Sequence, residues 1–351
     1  MYTLRELLGK TTELNASDLH LTVGIPPTAR LNGKLMPLGD ENLTQDCMEK
    51  FAKEILGNRF DIYNEDGEAD TSYSLSGIGR FRVNVFKQRN SDAIALRAIR
   101  LKIPTLDELN HPSVLKELVK KQRGLVLVTG PTGSGKSTTL AAMINEINAT
   151  RSAHIITLED PIEYLHKHKK CIINQREIGK DSKSYKSALK AILREDPDVI
   201  LVGEMRDLET ISIAITAAET GHLVFSTLHT IGAAKTIDRI IDVFPPHQQQ
   251  QIRIQLAAVL QGIVSQQLVP TVDGKGRIAA LETMIITPGI QNQIREGKTY
   301  QIESAIQTGS KYGMKSMDMS LVELARNGSI TKETAMIYSV DKEILKRMMM
   351  L

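Results

Sequence analysis

The sequence predicts an α/β protein: a mostly parallel sheet covered by helices on both faces, preceded by a smaller α+β domain. Two observations support this fold class. Through the middle of the chain, short apolar runs rich in β-branched residues alternate with stretches of helical periodicity. The first of these runs leads into a glycine-rich loop and then into a helical segment, which is the setting of a phosphate-binding loop. A length of 351 residues fits two domains.

Composition narrows the class of protein. Hydrophobic content of 41% and charged content of 24% are typical of a soluble globular chain. The net charge of +3 is too small to indicate a polyanionic partner. Absence of tryptophan and an aromatic content of 4% leave few side chains for stacking on single-stranded nucleic acid. We therefore expect no nucleic-acid partner.

Cysteine use and hydropathy indicate the compartment. Cys47 and Cys171 lie far apart, so they predict neither a disulfide framework nor a zinc site. The N-terminus lacks the features of a signal peptide, and no apolar run reaches the roughly 20 residues that cross a bilayer. We expect a cytoplasmic protein that meets a membrane only through partners.

Residues 1–100 read as the small α+β domain. Leu19, Leu21 and Val23 alternate with polar residues, as on one face of a strand. Asn32-Gly33 predicts a two-residue hairpin, because both residues tolerate the positive φ angles of a type I′ turn. A helix is expected from Thr44 to Leu56, ending at Gly57.

Two further strands of this domain carry arginines on one face. The inward faces are apolar and comprise Phe81, Val83, Val85, Ile94, Leu96 and Ala98. Arg80 and Arg82 oppose the first set and Arg97 opposes the second. Such a face is either solvated or a binding surface, and this pattern alone favours the solvated one. Residues 101–112, with two prolines, are expected to be a linker, and Ser113–Gln122 to form a short amphipathic helix.

The phosphate loop is the most specific motif. Gly130–Ser137 matches G-x-x-x-x-G-K-[ST] at every fixed position, after the apolar strand Leu125–Val128 and before a helix from Ser137 to Ile147. Lys136 is expected to reach the β- and γ-phosphates, and the hydroxyl of Ser137 to hold Mg²⁺. The chain is thus predicted to bind a nucleoside triphosphate. The residues predicted to bind it are Gly130, Pro131, Thr132, Gly133, Ser134, Gly135, Lys136, Ser137 and Thr138.

Polar residues follow three more predicted strands, His154–Leu158, Asp198–Val202 and His222–Leu228. Ligands of such sheets bind beyond the carboxyl ends of the strands. Glu204 follows the second strand as a Walker B carboxylate does, and we expect it to polarise the attacking water. Glu163 follows the first and could share that role or help Glu204 and Ser137 to organise Mg²⁺. His229, after the third, is expected to contact the γ-phosphate.

The C-terminal third is predicted to be largely helical. Leu256, Leu260, Ile263 and Val264 follow helical spacing up to Pro270. Asp273–Gly276 predicts a turn between two strands. Three more helices are expected: Gly289–Glu296, Tyr300–Gln307, and Met317–Arg326 closed by Gly328.

Over essentially its whole length the chain resembles the secretion ATPase superfamily, and within it the type IV pilus retraction ATPases of the PilT family. The similar motifs are the Walker A loop, the aspartate box Thr157–Glu163, the Walker B segment Asp196–Asp207, the histidine box Ala218–His229, and the N-terminal segments Ala16–Leu21 and Gly79–Asn84. Extension and type II secretion ATPases usually add a long N-terminal region and a tetracysteine zinc module, which two cysteines cannot supply. The retraction signature reads near Ala-Ile-Arg-Asn-Leu-Ile-Arg-Glu, from which this chain departs at Gly289, Gln291 and Gln293.

The resemblance implies a PAS-like domain over residues 1–100 and a RecA-like ATPase domain with a C-terminal helical region over 113–351. It also implies a homohexameric ring with ATP between neighbours, and Mg²⁺-dependent hydrolysis that drives pilus retraction through an inner-membrane platform protein. Arg82 and Arg97 then become candidates to reach the γ-phosphate of a neighbouring subunit. Alternatives are an assembly or accessory motor of the same superfamily, a RecA-like nucleic-acid motor, and a small-molecule kinase.

Overall fold

The computed structural model describes residues 2–31, 33–99 and 102–350. It divides into two compact units. The first ends at Lys102 and includes Glu163–Leu165, and the second consists of Ile103–Ile162 and the chain from His166 onward. Within the described ranges, no helix has the length and apolar character needed to cross a bilayer. Asn32 of the predicted hairpin and Leu101 of the predicted linker lie outside the described residues.

The first unit is a six-stranded antiparallel sheet with three α-helices. Its strands are arranged in the order β3-β2-β1-β6-β5-β4. In chain order the elements are α1 (Leu4–Glu13), β1 (Asp18–Thr22), β2 (Thr28–Leu31), β3 (Lys34–Pro37), α2 (Gln45–Leu56), a 3₁₀ turn (Gly57–Arg59), α3 (Phe60–Asp66), β4 (Glu68–Leu75), β5 (Gly79–Gln88) and β6 (Ser91–Ile99).

Local signals explain several of these elements. The predicted hairpin is confirmed by the pairing of Leu31 on β2 with Lys34 on β3. The predicted helix is confirmed as α2, whose first turn is capped by the Thr44 side chain and whose end is Gly57 at a φ of 54°. The alternation on β5 is confirmed as well, because Phe81, Val83 and Val85 are fully buried. The apolar face of the sheet therefore packs against the helices.

The second unit is a seven-stranded sheet in the order β13-β12-β7-β11-β10-β8-β9, parallel except for β13. Its first half comprises α4 (Val114–Val119), β7 (Gly124–Thr129), α5 (Lys136–Thr150), β8 (His154–Glu159), β9 (Ile172–Glu177), α6 (Tyr185–Ile192), β10 (Val199–Val202), α7 (Leu208–Glu219) and β11 (Leu223–Leu228). Its second half comprises α8 (Ala233–Asp242), α9 (Pro246–Val259), β12 (Leu260–Pro270), β13 (Arg277–Ile285), α10 (Pro288–Arg295), α11 (Ile302–Thr308), α12 (Met317–Arg326), α13 (Lys332–Tyr338) and α14 (Lys342–Met350), with 3₁₀ turns at Thr299–Gln301 and Ser310–Tyr312.

Both faces of this sheet are covered, as predicted for the α/β class. Successive side chains of a strand point to opposite faces. On β7, Leu125 and Leu127 belong to one hydrophobic cluster with α7 to α9. Val126 and Val128 belong to another, which contains residues of α4 and α5. The predicted fold class is confirmed.

One sequence prediction in this unit is wrong. Leu260, Ile263 and Val264 were expected to continue a helix, but α9 ends at Val259 and these residues lie on strand β12. β12 pairs with β7 on one side and β13 on the other and is buried on both faces, so its apolar residues do not alternate with polar ones. Gly262 marks the strand: a Cβ there would lie 2.9 Å from the carbonyl oxygen of Met284.

The remaining C-terminal predictions are confirmed. Asp273–Gly276 lies in the turn between β12 and β13, and α10, α11 and α12 match the three expected helices within two residues at each end. The last helices form a small cluster of their own, in which Met317, Leu321 and Leu345 pack with Val269 of β12 and Ala280 of β13.

Candidate active site

The phosphate loop joins the end of β7 to the start of α5. Gly130 and Gly135 adopt φ angles of 142° and 87°, which favour glycine. The amide of Gly130 donates to the carbonyl of Leu228 at the end of β11, over 3.3 Å. Pro131, Thr132 and Gly133 are exposed. The loop is thus anchored at its ends and open to solvent at its tip.

Lys136 lies in the first turn of α5 and is 9% exposed. Its Nζ donates to the carbonyl oxygens of Gly130 and Pro131, over 2.9 and 3.0 Å. Ser137 and Thr138 follow it and are half-buried. A cation, two hydroxyls and the N–H groups of a helix N-terminus therefore meet at one place, which is the donor set that polyphosphates require.

Three strand ends bring the predicted catalytic groups to this loop. β7, β11 and β10 are parallel neighbours, so the loop, His229 and Glu204 emerge at the same edge of the sheet. Two buried hydroxyls hold this edge together: Ser226 Oγ donates to Val202 O over 2.7 Å, and Thr227 Oγ1 donates to Gly203 O over 2.6 Å.

Both carboxylate oxygens of Glu204 are engaged, and its side chain is 14% exposed. Nη2 of Arg206 lies 2.5 Å from Oε1 of Glu204. Nε2 of His229 lies 3.2 Å from Oε2. The hydrogen bond and the charge of Glu204 raise the pKa of Arg206. The structure thus joins two predicted site residues, Glu204 and His229.

Arg206 was not predicted as a site residue. The sequence did contain a signal for Arg206, because a basic residue two positions after a carboxylate at a strand end can turn back and contact that carboxylate. Tyr185 of α6 was also missed. Its hydroxyl packs on Gly203, where a Cβ would lie 2.9 Å from it, and burial together with the negative charges of Asp160 and Glu204 raises the pKa of Tyr185.

Gln266 of β12 is a third missed residue, and it lies directly against the phosphate loop. Its Nε2 donates to the carbonyl of Ser134 over 2.5 Å. A Cβ on Gly130 would lie 2.1 Å from the carbonyl oxygen of Gln266, and a Cβ on Gly135 would lie 2.8 Å from its Nε2. Gln266 therefore crowds both positions, which adds to the preference for glycine that their φ angles already give. The sequence offered no signal for Gln266, because its contacts are with residues far away in the chain and its strand was predicted to be helical.

The aspartate box, Thr157–Glu163, begins in the last residues of β8 and continues beyond the strand. The carboxylate of Glu159 accepts hydrogen bonds from Thr157 Oγ1 and Gln175 Nε2, over 2.6 and 3.1 Å. Glu163 is exposed and belongs to the first compact unit. Its role in catalysis or in the Mg²⁺ shell stays a prediction.

Arg82 and Arg97 lie in a row of side chains across the sheet of the first unit. Arg82 on β5 is opposite Arg97 on β6, Arg97 is opposite Asp18 on β1, and Asp18 is opposite Arg30 on β2. Asp18 accepts a hydrogen bond from Arg97 Nε over 2.9 Å and lies 3.8 Å from Arg30 Nε. Burial favours a higher pKa for Asp18, but hydrogen bonds from Ser17 and Arg97 outweigh it and lower the pKa. The row thus holds three guanidinium groups and one carboxylate, which contacts two of them, so it carries excess positive charge.

The residues fit a Mg²⁺ ion that arrives with its nucleotide. Within residues 2–31, 33–99 and 102–350, no cluster of three or more His, Cys, Asp or Glu side chains could hold a metal by itself. Mg²⁺ in phosphoryl-transfer sites needs no such cluster, because it takes one or two protein oxygens and completes its shell with phosphates and water. The Ser137 hydroxyl beside the loop is suited to be one of these oxygens.

Comparison with known proteins gives consistent matches. Residues 75–342 match the family described as "Type II/IV secretion system protein". The type IV pilus retractation ATPase PilT of Pseudomonas aeruginosa is 49% identical, over 95% of this chain and 96% of that protein. The type IV pilus ATPase PilU of the same organism is 42% identical, over 99% and 91%. A crystal structure of the pilus retraction motor PilT with bound ADP superposes with a TM-score of 0.93 and 49% identity, covering 99% of this chain and 100% of that one.

Proposed function

This chain belongs to the type II/IV secretion system protein family, and we propose that it is a Mg²⁺-dependent ATPase that powers type IV pilus retraction. The observation that carries the proposal is Glu204, held at the same sheet edge as the phosphate loop and in contact with His229. Similarity to PilT over nearly the whole of both chains supports the physiological output.

The chemistry follows from the residues at the sheet edge. The loop amides and Lys136 bind the β- and γ-phosphates. Ser137 would hold Mg²⁺, which would neutralise charge that develops on the phosphates. Glu204 orients the attacking water and accepts its proton. His229 contacts both the γ-phosphate and Glu204. The position of the Glu204 carboxylate therefore depends on whether the γ-phosphate is present. Each carboxylate oxygen of Glu204 already has one partner, and each keeps a second lone pair with which Glu204 can accept the proton of the water.

The arginine row supports a site completed by a neighbouring subunit. Arg82 and Arg97 stand on the exposed face of a sheet that has spare positive charge. An arginine supplied to a transferring phosphoryl group is worth about 10³–10⁵ in rate. In a homohexameric ring these arginines reach the γ-phosphate of the adjacent chain, and hydrolysis moves the first domain against the second across residues 101–112.

The motion is passed to a platform protein of the inner membrane, at whose cytoplasmic face the ring assembles, and pilin subunits return to the membrane. Nucleic acid is not a partner. The direct biochemical test is ATP hydrolysis by the purified protein with and without Mg²⁺, alongside Lys136→Ala, which should lose turnover. Wild-type protein without Mg²⁺-dependent hydrolysis would contradict the proposal.

A second candidate is an accessory or assembly motor of the same pilus system. It is favoured by the changes at Gly289, Gln291 and Gln293 in α10, which depart from the retraction signature. Deleting the gene and counting surface pili separates the two. Excess pili with loss of twitching motility supports retraction, absence of pili supports assembly, and unchanged pili with weaker motility supports the accessory role.

A further inference from the structure

A chain of buried polar side chains runs from the segment before α4 to the phosphate loop. It consists of His111, Thr139 of α5 and Gln266 of β12, which are 8%, 1% and 2% exposed. Nε2 of His111 lies 2.8 Å from Oγ1 of Thr139. Oγ1 of Thr139 donates to Oε1 of Gln266 over 2.7 Å. Nε2 of Gln266 donates to the carbonyl of Ser134 over 2.5 Å.

The direction of each hydrogen bond in this chain is determined. The carbonyl of Ser134 can only accept, so the amide nitrogen of Gln266 must face it and Oε1 must face Thr139. Thr139 then donates its hydroxyl proton to Gln266, so its Oγ1 can only accept the hydrogen bond that joins it to His111. His111 is a neutral imidazole near pH 7, because burial lowers its pKa to about 4, and the tautomer with its proton on Nε2 is the one that can donate to Thr139. No member can change its orientation without breaking a bond at its neighbour.

The bond to Ser134 also orients the next peptide group of the loop. In a trans peptide the C=O of one residue and the N–H of the next point in opposite directions. Holding the Ser134 carbonyl toward Gln266 therefore aims the N–H of Gly135 away from Gln266. Gly135 is the N-cap of α5, with a φ of 87° that permits the peptide to rotate if this anchor is lost.

We propose that His111, Thr139 and Gln266 are positioning residues for nucleotide binding, which fix the Gly135 amide of the phosphate loop and make its orientation depend on the segment leading into α4. The inference rests on the nucleotide binding proposed above. None of the three side chains needs to touch the nucleotide, since they act through the Ser134–Gly135 peptide. The segment is well placed for this role: Leu106 before His111 and Leu115 after it are 1% and 0% exposed in the core of the second unit, so His111 is held from both sides.

The test uses a matched pair at position 139. Thr139→Val keeps the shape but removes the hydroxyl, whereas Thr139→Ser keeps the hydroxyl. The dissociation constant for MgADP is measured by calorimetry well below the melting temperature of each variant. Loss of one neutral hydrogen bond is worth about 1 kcal/mol, or about fivefold in affinity. Thr139→Val should bind about fivefold or more weakly, and Thr139→Ser should stay within about twofold of wild type.

Coupling to the preceding segment is tested with His111→Phe, which removes the terminal donor and keeps a ring. This variant should weaken MgADP binding, and the His111→Phe/Thr139→Val double variant should bind no more weakly than Thr139→Val alone. Fully additive losses would overturn the claim that the three residues act as one unit.

The outcomes separate this proposal from the function on which it rests. A lower melting temperature with unchanged MgADP affinity in Thr139→Val means a merely structural role and overturns the inference. If Thr139→Val does not fold, His111→Phe decides by the same criterion. Failure of the wild-type protein to bind MgADP more tightly than Lys136→Ala would instead overturn the proposed nucleotide binding.

Discussion

The guanidinium of Arg206 lies 2.5 Å from one carboxylate oxygen of Glu204, and the imidazole of His229 contacts the other. Glu204 itself is mostly buried, while Arg206 and His229 are more than half exposed. The carboxylate is therefore rigidly placed, but its partners can be drawn away by a nucleotide or by another chain. A base held between two movable partners is suited to a motor that must not hydrolyse ATP until its site is complete.

The first prediction concerns which carboxylate is the base. Glu204→Gln should lower ATP turnover by about 10²–10⁴ because a neutral amide cannot accept a proton from water. MgATP binding and the melting temperature should change little, since glutamine keeps the size of the side chain. Glu163→Gln is the matched comparison and should retain more turnover. The opposite ranking of the two variants would assign the base to Glu163.

The second prediction concerns Arg82. If it acts on a neighbouring chain, Arg82→Ala and Lys136→Ala should each be inactive alone but regain ATP hydrolysis when mixed. The mixture contains sites with an intact loop from one chain and an intact arginine from the next. ATP hydrolysis by the mixture is measured at a protein concentration that allows chains to exchange.

Glu204→Gln mixed with Lys136→Ala serves as the control for Arg82. Lys136 and Glu204 lie at neighbouring strand ends of one chain, so no mixed site has both, and activity should stay absent. Failure of the Arg82→Ala mixture to regain hydrolysis would show that Arg82 does not act between chains. Recovery in the control would show that mixing restores activity without an exchanged arginine, and the Arg82 result would then lose its support. Arg97→Ala is a less specific test, because the substitution also removes a hydrogen-bond partner of Asp18 within the same chain.

The phosphate loop and Glu204 were predictable from the sequence for a physical reason. Both are defined by short spacings that a strand and its following turn impose, so a local pattern contains the whole signal. The signals for the confirmed helix α2 and for the confirmed hairpin, in which Leu31 pairs with Lys34, are likewise local. In each of these cases the determinant is local, and the pattern and the structure agree.

What the sequence did not reveal depends on distant partners. Gln266 meets Thr139 and Ser134 across 127 and 132 positions of the chain, and nothing near residue 266 marks those contacts. β12 was mistaken for a helix because a strand buried on both faces has no period of two. Helix α1, whose Thr3–Glu6 capping box is a readable local signal, was missed although the pattern was present.

The third prediction concerns Gln293 of α10, where the retraction signature has leucine. Within the described part of the chain, its buried Oε1 has no hydrogen-bond partner, whereas Ile290 and Ile294 of the same helix pack in the core. Such an unsatisfied group costs about 1–3 kcal/mol. Gln293→Leu should therefore raise the free energy of unfolding by about 1 kcal/mol, measured by urea denaturation, with Gln291→Leu as the comparison. A destabilised Gln293→Leu protein would mean that the amide has a partner in solution.

The same substitution bears on physiology. If Gln293 is what gives this chain the accessory or assembly role of the second candidate function, Gln293→Leu should change the number of surface pili while leaving ATP turnover unchanged. Unchanged pili would show that Gln293 does not determine the role.

The last prediction is the acid sensitivity of the second unit. Burial lowers the pKa of His111 to about 4, and burial with the charge of Lys169 does the same for His166. The unfolded chain binds these protons near pH 6.5 and the folded chain only near pH 4, so stability is complete above pH 6.5 and is lost as pH falls toward 4. Each histidine should lower the free energy of unfolding by about 2 kcal/mol between pH 7 and pH 5. In His111→Phe the decline, followed by urea denaturation at both pH values, should be about half as large; an equal decline would show that His111 is protonated in the folded protein.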